Sequence, residues 1–275
     1  MDITGTSRPR DVEPSGGGSD EVGPPPLSLF ALEPSRARVE WLSLMISEWM
    51  LDPPRGSGDP VLVLPGLLAG DEATEPLRRV LARLGHASHG WGLGVNVGPT
   101  ATILDGMVAR VVALSDAARI RGGDGRVHLV GVSLGGILAR ELARQAPDRV
   151  GRVVTIGSPF RILDHRQSRL AGVFQSLSHL HVSRDRFDIF NQTTVPPHVP
   201  TTAIFSRTDG VVSWRTCVDR PGIAGHESVE VRSSHTGMPY NPATVYVVAD
   251  RLARETGQWR PFQAPLRLRH LYPAP

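Results

Sequence analysis

The sequence contains no lysine, because all 30 of its lysine-or-arginine positions are arginine. Without lysine there can be no Walker A phosphate loop, no Schiff-base lysine for pyridoxal phosphate and no serine–lysine dyad. The arginines are scattered along helices and loops, without a clustered basic face or interleaved aromatic residues, so nucleic acid is not an expected partner. The formal net charge of +3 is modest and is explained by ordinary solvated arginines.

The sequence also has only one cysteine and no long apolar run. Cys217 cannot form an intramolecular disulfide, which fits a reducing compartment, and we expect a cytoplasmic location. No apolar N-terminal segment precedes a cleavage site, so no signal peptide is expected. The most apolar early stretch, residues 41–51, is interrupted by Glu48 and is too short to span a bilayer. A length of 275 residues with 40% apolar content favours one globular α/β domain with appendages.

Composition divides the chain into four segments. Residues 1–26 carry runs of glycine and proline with little apolar content, which predicts a disordered tail. Residues 27–59 contain an apolar pattern at helical spacing, from about residue 35 to 50. This pattern predicts an amphipathic helix packed on the core, with a membrane-surface role as the alternative. Residues 60–258 form the predicted main domain, and residues 259–275 a C-terminal extension.

Strands and helices alternate along the main domain. Short apolar runs predict strands at residues 61–64, 127–130, 150–156, 202–205 and 229–231. Between and after them, helical spacing predicts helices at residues 73–84, 101–121 and about 134–146, with a last helix from 241 to about 254. Residues 87–91 lead into a glycine-rich stretch, 92–99, which we interpret as a loop near the mouth of a site. The fold class is therefore α/β, with a mostly parallel central sheet flanked by helices.

A serine stands between a predicted strand and a predicted helix. Residues 131–135 read Gly-Val-Ser-Leu-Gly, which is the G-x-S-x-G pattern of a nucleophile elbow in this strand–turn–helix context. A turn that lifts the Ser133 hydroxyl clear of the sheet strains the serine backbone and presses the flanking residues together. Only glycine tolerates that approach. The alternative is an ordinary strand–helix turn that contains a serine by chance.

An acid and a histidine follow later strands. Asp209 comes after the strand at 202–205, and His235 comes after the strand at 229–231. Because the carboxyl ends of parallel strands share one edge, both side chains are expected to meet Ser133 there. The order serine, acid, histidine is that of the α/β-hydrolase triad. In that triad His235 accepts the Ser133 proton, and Asp209 orients the imidazole and stabilises its charged form.

Three other residues compete for the acid and base roles. His226 precedes its strand, and neither Asp219 nor Asp164 follows a strand end, so all three are disfavoured.

A metal site is conceivable in the segment after the third long strand. His179 and His181 lie two apart there, with Asp185 and Asp188 following, but no set of ligands has convincing spacing. Polar surface residues are the favoured interpretation, and we expect no metal and no cofactor. The whole segment, about residues 161–200, has recurring apolar residues and is too long for a plain loop. It predicts a small helical cap over the catalytic face that controls access.

Backbone N–H groups near the serine are candidates for stabilising an oxyanion. Leu134 opens the helix after the serine, where N–H groups lack partners. Leu67 follows the strand at 61–64 in a glycine turn, which is where this architecture places its second donor, although a plain turn is the alternative. Apolar side chains beside the catalytic segments are candidates for an acyl pocket, with core packing as the alternative for each. They are Leu67, Leu68, Phe160, Trp214 and Met238.

Several motifs together resemble bacterial esterases and lipases of the α/β-hydrolase superfamily. These motifs are Gly131-Val132-Ser133-Leu134-Gly135-Gly136, Gly157-Ser158-Pro159, the segment 206–212 and Ser234-His235. The likeness covers about residues 60–255 and implies that fold, a Ser133–Asp209–His235 triad and cofactor-free hydrolysis of carboxylic esters. Two positions depart from the pattern, Pro65 where histidine is usual and Phe160 where many lipases have histidine.

The resulting hypothesis is a serine hydrolase acting on a small-molecule ester with an apolar acyl group. An acyltransferase or thioesterase using the same acyl-enzyme is the first alternative, because the fold does not fix the acceptor. The second is a non-catalytic binding module of the same fold, which is expected to have an impaired triad. Product analysis with competing acceptors separates the first two, and labelling of the serine separates both from the binding module.

Overall fold

The computed structural model describes residues 23–162, 165–183, 195–254 and 257–273. Within them lies one sheet of six strands in the order β2-β1-β3-β4-β5-β6, and every neighbouring pair is parallel. The strands are β1 (Pro60–Leu64), β2 (Ala87–Gly90), β3 (Val127–Val132), β4 (Val150–Ile156), β5 (Thr201–Phe205) and β6 (His226–Glu230). A parallel sheet brings all carboxyl strand ends to one edge, so loops that are far apart in sequence become neighbours there.

Helices cover both faces of this sheet. The α-helices are α1 (Leu27–Ala31), α2 (Glu33–Leu51), α3 (Asp71–Arg83), α4 (Ala101–Ile120), α5 (Leu134–Gln145), α6 (Ala171–Ser176) and α7 (Pro242–Leu252). Short 3-10 helices span His165–Gln167, Ser178–Leu180, Trp214–Cys217, Met238–Tyr240 and Leu266–Leu271. None of the helices in the described ranges is long and apolar enough to cross a membrane.

Alternate side chains of the central strands pack against different helices. On one face, Leu62 and Leu129 lie in a cluster with apolar residues of α4 and α5. On the other face, Val61 and Val130 lie in a cluster with residues of α2, α3 and α7. Strands that are buried on both faces are typical of parallel sheets, which explains why β1 and β3 read as continuous apolar runs.

The predicted α/β class and parallel sheet are confirmed, and the structure adds one strand. Residues Ala87–Gly90 form β2 at the edge of the sheet, paired with β1, where the sequence indicated only the approach to a loop. All four positions are half-buried and include small residues, so the strand lacks the apolar run that marks the central strands.

The predicted cap segment is partly helical within the described residues. It contains α6 and two of the 3-10 helices among turns and irregular backbone, and residues 195–200 lead into β5. Val182 donates a backbone hydrogen bond to Pro99, and Ser213 donates one to Gln167. The segment therefore connects the glycine-rich loop after β2 with the loop after β5. The predicted disordered tail lies mostly outside the described residues, as do Asp164, Asp185 and Asp188.

Candidate active site

Ser133 occupies a sharp turn between β3 and α5. Its backbone has φ 51° and ψ −120°, a left-handed conformation that costs a non-glycine residue of the order of 1–3 kcal/mol. The flanking glycines are there because the turn leaves no room for side chains. A Cβ on Gly131 would lie 2.3 Å from the Cα of Gly136, and one on Gly135 would lie 2.4 Å from the carbonyl oxygen of Leu64. The sequence thus folds into a strand–turn–helix with the serine at its apex.

Ser133, His235 and Asp209 form a continuous chain of hydrogen bonds at the carboxyl edge of the sheet. The Nε2 atom of His235 lies 3.1 Å from the Ser133 Oγ, and its Nδ1 lies 2.6 Å from the Oδ2 of Asp209. The other oxygen of Asp209 accepts the backbone N–H groups of Val211 and Val212, each at 2.8 Å. The structure therefore brings together all three side chains that the strand positions predict, and it fixes the orientation of the carboxylate.

The charge around His235 favours proton uptake. Burial alone lowers the pKa of its imidazole, but the negative charge of Asp209, the hydrogen bond that the imidazole donates to that carboxylate and the charge of Glu33 outweigh it, and the net pKa is raised above its ordinary value. Only a neutral imidazole that donates from Nδ1 to Asp209 can accept a proton at Nε2 from Ser133. The arrangement can therefore draw a proton from the serine hydroxyl and stabilise the imidazolium that results.

Two backbone N–H groups beside Ser133 are available for a ligand. Neither Leu67 nor Leu134 donates its N–H to another group in the parts of the chain that the structure describes. The loop carrying Leu67 lies against the serine, because a Cβ on Gly66 would be 3.4 Å from the Ser133 Cβ. Leu134 is the first residue of α5, where N–H groups point at the serine's surroundings.

The loop carrying Leu67 is braced by a residue that the sequence did not single out. Asn96 is fully buried, and its side-chain amide donates to the Pro65 carbonyl at 2.8 Å. Its backbone also exchanges hydrogen bonds with Leu68 and Ala69, at 2.8 and 2.9 Å. Leu68 is held at φ 59° by these contacts. The only sequence signal was the position of Asn96 inside the glycine-rich loop.

The predicted acyl-pocket residues occupy different environments. Phe160 and Met238 are both 0% exposed, Phe160 beneath the Arg140 guanidinium at 3.8 Å and Met238 in the apolar cluster with α7. Both side chains pack in the core, because each points inward although the segment that carries it lies at the edge of the sheet. Trp214 stacks on Phe205 with ring centroids 5.7 Å apart. Leu68, at 55% exposed, has free apolar surface, and Leu67 is half-buried against the core.

Two of the disfavoured acid and base candidates, Asp219 and His226, form a separate buried group. His226 Nδ1 lies 3.2 Å from Asp219 Oδ2, and Asp219 receives both terminal nitrogens of Arg140 at 2.8 and 3.0 Å. Cys217 is also buried, and burial together with the charge of Asp209 raises the pKa of its thiol. A protonated, enclosed thiol does not compete with Ser133 as a nucleophile.

Two carboxylates of α2 contact the loop that carries His235, a contact that no sequence pattern indicates. Glu33 accepts backbone N–H groups from Gly210, His235 and Thr236. Glu40 accepts the hydroxyl of Ser234 at 2.6 Å and its N–H at 2.8 Å. Burial raises the pKa of Glu40, although these bonds and Arg36 oppose the rise. A glutamate at the start of a helix is ordinary, so its spacing carried no functional signal.

The histidines of the cap segment are engaged by backbone groups. His179 Nδ1 lies 3.0 Å from the Ser176 carbonyl oxygen, and His181 Nε2 lies 2.8 Å from that of Val97. Across the described ranges, no group of three or more histidine, cysteine, aspartate or glutamate side chains is arranged to hold a metal ion.

Comparisons with known proteins indicate the same architecture. The family model described as alpha/beta hydrolase fold matches residues 105–180, a range that includes Ser133. No curated protein sequence matches the chain significantly.

Two solved structures resemble the fold. Lipase B of Aspergillus fumigatus is 16% identical with a TM-score of 0.55, over 74% of this chain and 55% of that one. A structure from the study of LipS and LipT, two metagenome-derived lipolytic enzymes, is 16% identical with a TM-score of 0.50, over 67% of this chain and 88% of that one. The chain thus spans about half the length of the Aspergillus lipase. At such identities the likeness shows the α/β-hydrolase fold alone.

Proposed function

The chain has the α/β-hydrolase fold, and from that premise we propose that it is a serine hydrolase that cleaves carboxylic esters. Ser133 is the nucleophile, His235 the general base and then the general acid, and Asp209 the residue that orients the imidazole. The observation that carries the proposal is the unbroken chain of hydrogen bonds, 3.1 Å from Ser133 to His235 and 2.6 Å from His235 to Asp209. A buried, complete chain of this kind is the arrangement that an acyl-enzyme mechanism requires.

Acylation begins when the Ser133 Oγ attacks the ester carbonyl carbon and its proton moves to His235 Nε2. The carbonyl oxygen becomes an oxyanion, which the N–H groups of Leu67 and Leu134 stabilise. When the tetrahedral intermediate collapses, the bond to the alcohol oxygen breaks and His235 returns the proton to the leaving alkoxide. The products of this half-reaction are the alcohol and an acyl ester on Ser133.

Deacylation repeats these steps with water as the nucleophile. His235 takes a proton from water, the hydroxide forms a bond to the acyl carbon, and the bond to Ser133 Oγ then breaks. The serine recovers its proton from His235 and the carboxylic acid leaves. No cofactor takes part, because both half-reactions are proton transfers and acyl transfers.

The substrate proposed is an ester with an apolar acyl group. Its support is the exposed side chain of Leu68 next to the Leu67 donor, together with the apolar residues of α6 and the residues after it. Phe174 and Val182 pack beside the α4 and α5 cluster, and Leu68 lies on the loop braced by Asn96. An acyl chain would gain about 25 cal/mol for each Å² of apolar surface that it buries there.

Ester turnover tests the proposal. The protein is incubated with p-nitrophenyl acetate, butyrate and octanoate, alongside Ser133→Ala and a matched control, Ser57→Ala, at an exposed serine before β1. Wild type and the Ser57 variant should release p-nitrophenol at equal rates, with octanoate or butyrate preferred to acetate. Turnover by Ser133→Ala equal to that of wild type would reject Ser133 as the nucleophile.

A fluorophosphonate probe provides a test that does not depend on the substrate. The serine oxygen displaces fluoride from phosphorus, so an activated Ser133 becomes covalently labelled, and mass spectrometry locates the adduct. A wild-type chain that stays unlabelled would indicate a binding module that kept the fold. Adding alcohol, amine or thiol acceptors to the ester assay then shows whether the acyl group passes to water or to another acceptor.

A further inference from the structure

Helices α1 and α2 lie directly on the two loops that carry Asp209 and His235. The loop after β5 approaches so closely that a Cβ on Gly210 would be 2.6 Å from the backbone carbonyl of Leu29. The loop after β6 does the same, because a Cβ on Gly237 would be 2.8 Å from the Cα of Ala37. Residues of α1 and α2 therefore touch the backbone on both sides of the candidate site.

One side chain of α2 binds both loops at once. Glu33 is 4% exposed. Its Oε1 accepts the N–H of Gly210 and the N–H of His235, each at 2.9 Å. Its Oε2 accepts the N–H of Thr236 at 2.9 Å. Gly210 follows Asp209 in the chain, so a single carboxylate ties the residue next to the acid to the backbone of the base itself.

We propose that Glu33 is a positioning residue of the catalytic site, which fixes the separation of the Asp209 and His235 loops and makes α2 part of the catalytic machinery. This inference rests on the proposed function. Hydrogen bonds from N–H groups to a buried carboxylate are among the strongest in proteins, so three of them lock both loops firmly. Catalytic side chains must be held within about 0.5 Å of their productive geometry, and the Asp209–His235 contact depends on how these two loops meet.

The negative charge of Glu33 has a second effect on His235. The charged groups that face the imidazole are Asp209 from the loop after β5 and Glu33 from α2, and both raise its pKa. Glu40 and Arg36, also on α2, bond to Ser234 and Thr208 instead. Removing the charge of Glu33 should therefore lower the pKa of His235, whereas a merely structural role would leave it in place.

Glu40 offers an internal comparison about two helical turns further along the same face. It binds Ser233 and Ser234 on the loop before His235, and none of its hydrogen bonds within the described residues reaches the loop after β5. Its loss should weaken the packing of α2 without releasing the acid loop from the base. Variants of Glu33 and Glu40 can therefore distinguish the positioning of the catalytic loops from the packing of α2 on the domain.

The experiment measures the rate of fluorophosphonate labelling at Ser133 from pH 5 to 9 for wild type, Glu33→Gln, Glu40→Gln and Glu75→Gln. Glu75 is the matched control, because it is exposed on α3 and pairs with Arg79. In Glu33→Gln an NH2 group, which can only donate, replaces one of the two carboxylate oxygens. At least one of the three backbone N–H groups therefore loses its acceptor. We expect labelling to slow about 10- to 100-fold and its acidic limb to move to lower pH.

The controls assign each outcome. Glu40→Gln should lower the melting temperature and leave the acidic limb in place, and Glu75→Gln should match wild type. Labelling of Glu33→Gln at the wild-type rate with an unmoved limb would overturn the role of Glu33 while the hydrolase proposal stands. An equal limb shift in Glu40→Gln would overturn it too. A wild type that does not label would instead remove the proposed function on which the inference rests.

Glu33→Asp keeps the proposal testable where Glu33→Gln does not fold. Aspartate retains the charge but is one methylene shorter, so it cannot reach both loops. Labelling should slow while the acidic limb stays at the wild-type pH. Wild-type labelling rates in a folded Glu33→Asp would show that the reach of the side chain is irrelevant and would overturn the proposal.

Discussion

In the part of the chain that the structure describes, two histidine–aspartate pairs are buried on both sides, and their surroundings differ. In the first, His235 Nδ1 lies 2.6 Å from Asp209. In the second, His226 Nδ1 lies 3.2 Å from Asp219. Both aspartates follow β5 in the chain, and both histidines belong to the β6 region. The difference between the pairs is therefore a matter of surroundings and not of residue type.

The Nε2 atom of each histidine, which faces away from the aspartate, shows how the surroundings of the two pairs differ. His235 Nε2 faces the Ser133 hydroxyl, which can donate to it, so the neutral imidazole satisfies both of its nitrogens. His226 Nε2 faces the carbonyl oxygen of Pro197 at 3.0 Å. Both nitrogens of the His226 ring thus face acceptor oxygens, and neither faces a hydroxyl that could donate to it.

The aspartates differ in the same manner. Asp219 is shared between His226 and the two terminal nitrogens of Arg140. Burial opposes its charge, but these hydrogen bonds and charges outweigh burial and lower the pKa of the Asp219 carboxyl. Asp209 instead receives two backbone N–H groups on one oxygen and His235 on the other. Asp209 is thus held by neutral backbone groups besides its histidine, whereas Asp219 is also bonded to a charged arginine.

The largest contrast should appear when each aspartate becomes asparagine. Asp209→Asn leaves the shape intact but no longer enforces the tautomer of His235, and kcat should fall on the order of 10⁴-fold. Asp219→Asn should leave kcat for a p-nitrophenyl ester near the wild-type value and lower the melting temperature. Steady-state kinetics and thermal unfolding of both variants provide the measurement. Equal losses of kcat in the two variants would erase the distinction between the pairs.

The next largest effect concerns stability at the structural pair. Arg140→Met removes the cation that is bonded to Asp219, and both side chains are almost fully buried. Breaking a buried ion pair from one side costs about 3–5 kcal/mol of unfolding free energy. The exposed pair of Glu75 and Arg79 supplies the control, because Arg79→Met should cost below about 1 kcal/mol. Urea unfolding measures both, and a comparable loss in the two variants would contradict the assignment.

A smaller loss is expected at the second histidine. His226→Gln removes a ring whose two nitrogens both face acceptors, and the amide of glutamine cannot span both partners. The unfolding free energy should fall by about 1–3 kcal/mol, since one buried acceptor is left unpaired. The ester assay should show kcat within about twofold of wild type. A collapse of kcat at constant stability would mean that this histidine belongs to the reactive site.

The mildest perturbation is a change of pH. His235 acts as a base only when neutral, and its pKa is raised above its ordinary value, because Asp209 and Glu33 outweigh the opposing effect of burial. As the pH falls through that raised pKa, the imidazole becomes protonated and kcat/KM should drop about tenfold for each further pH unit. The limb should stay in place in Asp219→Asn. An acidic limb that shifts in the Asp219→Asn variant would assign the titration to the His226–Asp219 pair and contradict this prediction.

Ser133, Asp209 and His235 were predictable because each has a local signal in the sequence. Ser133 lies between two glycines in a strand–turn–helix, and Asp209 follows the buried strand β5. His235 follows β6, whose only apolar residue is Val229. The parallel sheet then brings the three ends together without further information. The core strands were equally legible, since burial on both faces leaves an uninterrupted apolar run.

The supporting residues were not predictable, because their roles exist only through distant contacts. Glu33 reads as a common first-turn acid, and Asn96 reads as one polar residue in a flexible loop. Phe160 and Met238 stand next to catalytic segments in sequence, yet their side chains turn into the core. Strand β2 was missed because an edge strand with half-buried small residues carries no apolar run. Proximity along the chain is a poor guide to which way a side chain points.

The contacts of Glu33 also set the order in which the reactive centre can be built during synthesis. Its partners Gly210 and His235 lie 177 and 202 positions further along the chain. At typical translation speeds the glutamate leaves the ribosome roughly 10–40 s before them. A nascent chain therefore carries Ser133 before Asp209 and His235 have been synthesised. The hydrogen-bonded chain of these three residues can close only after β6 has joined the sheet.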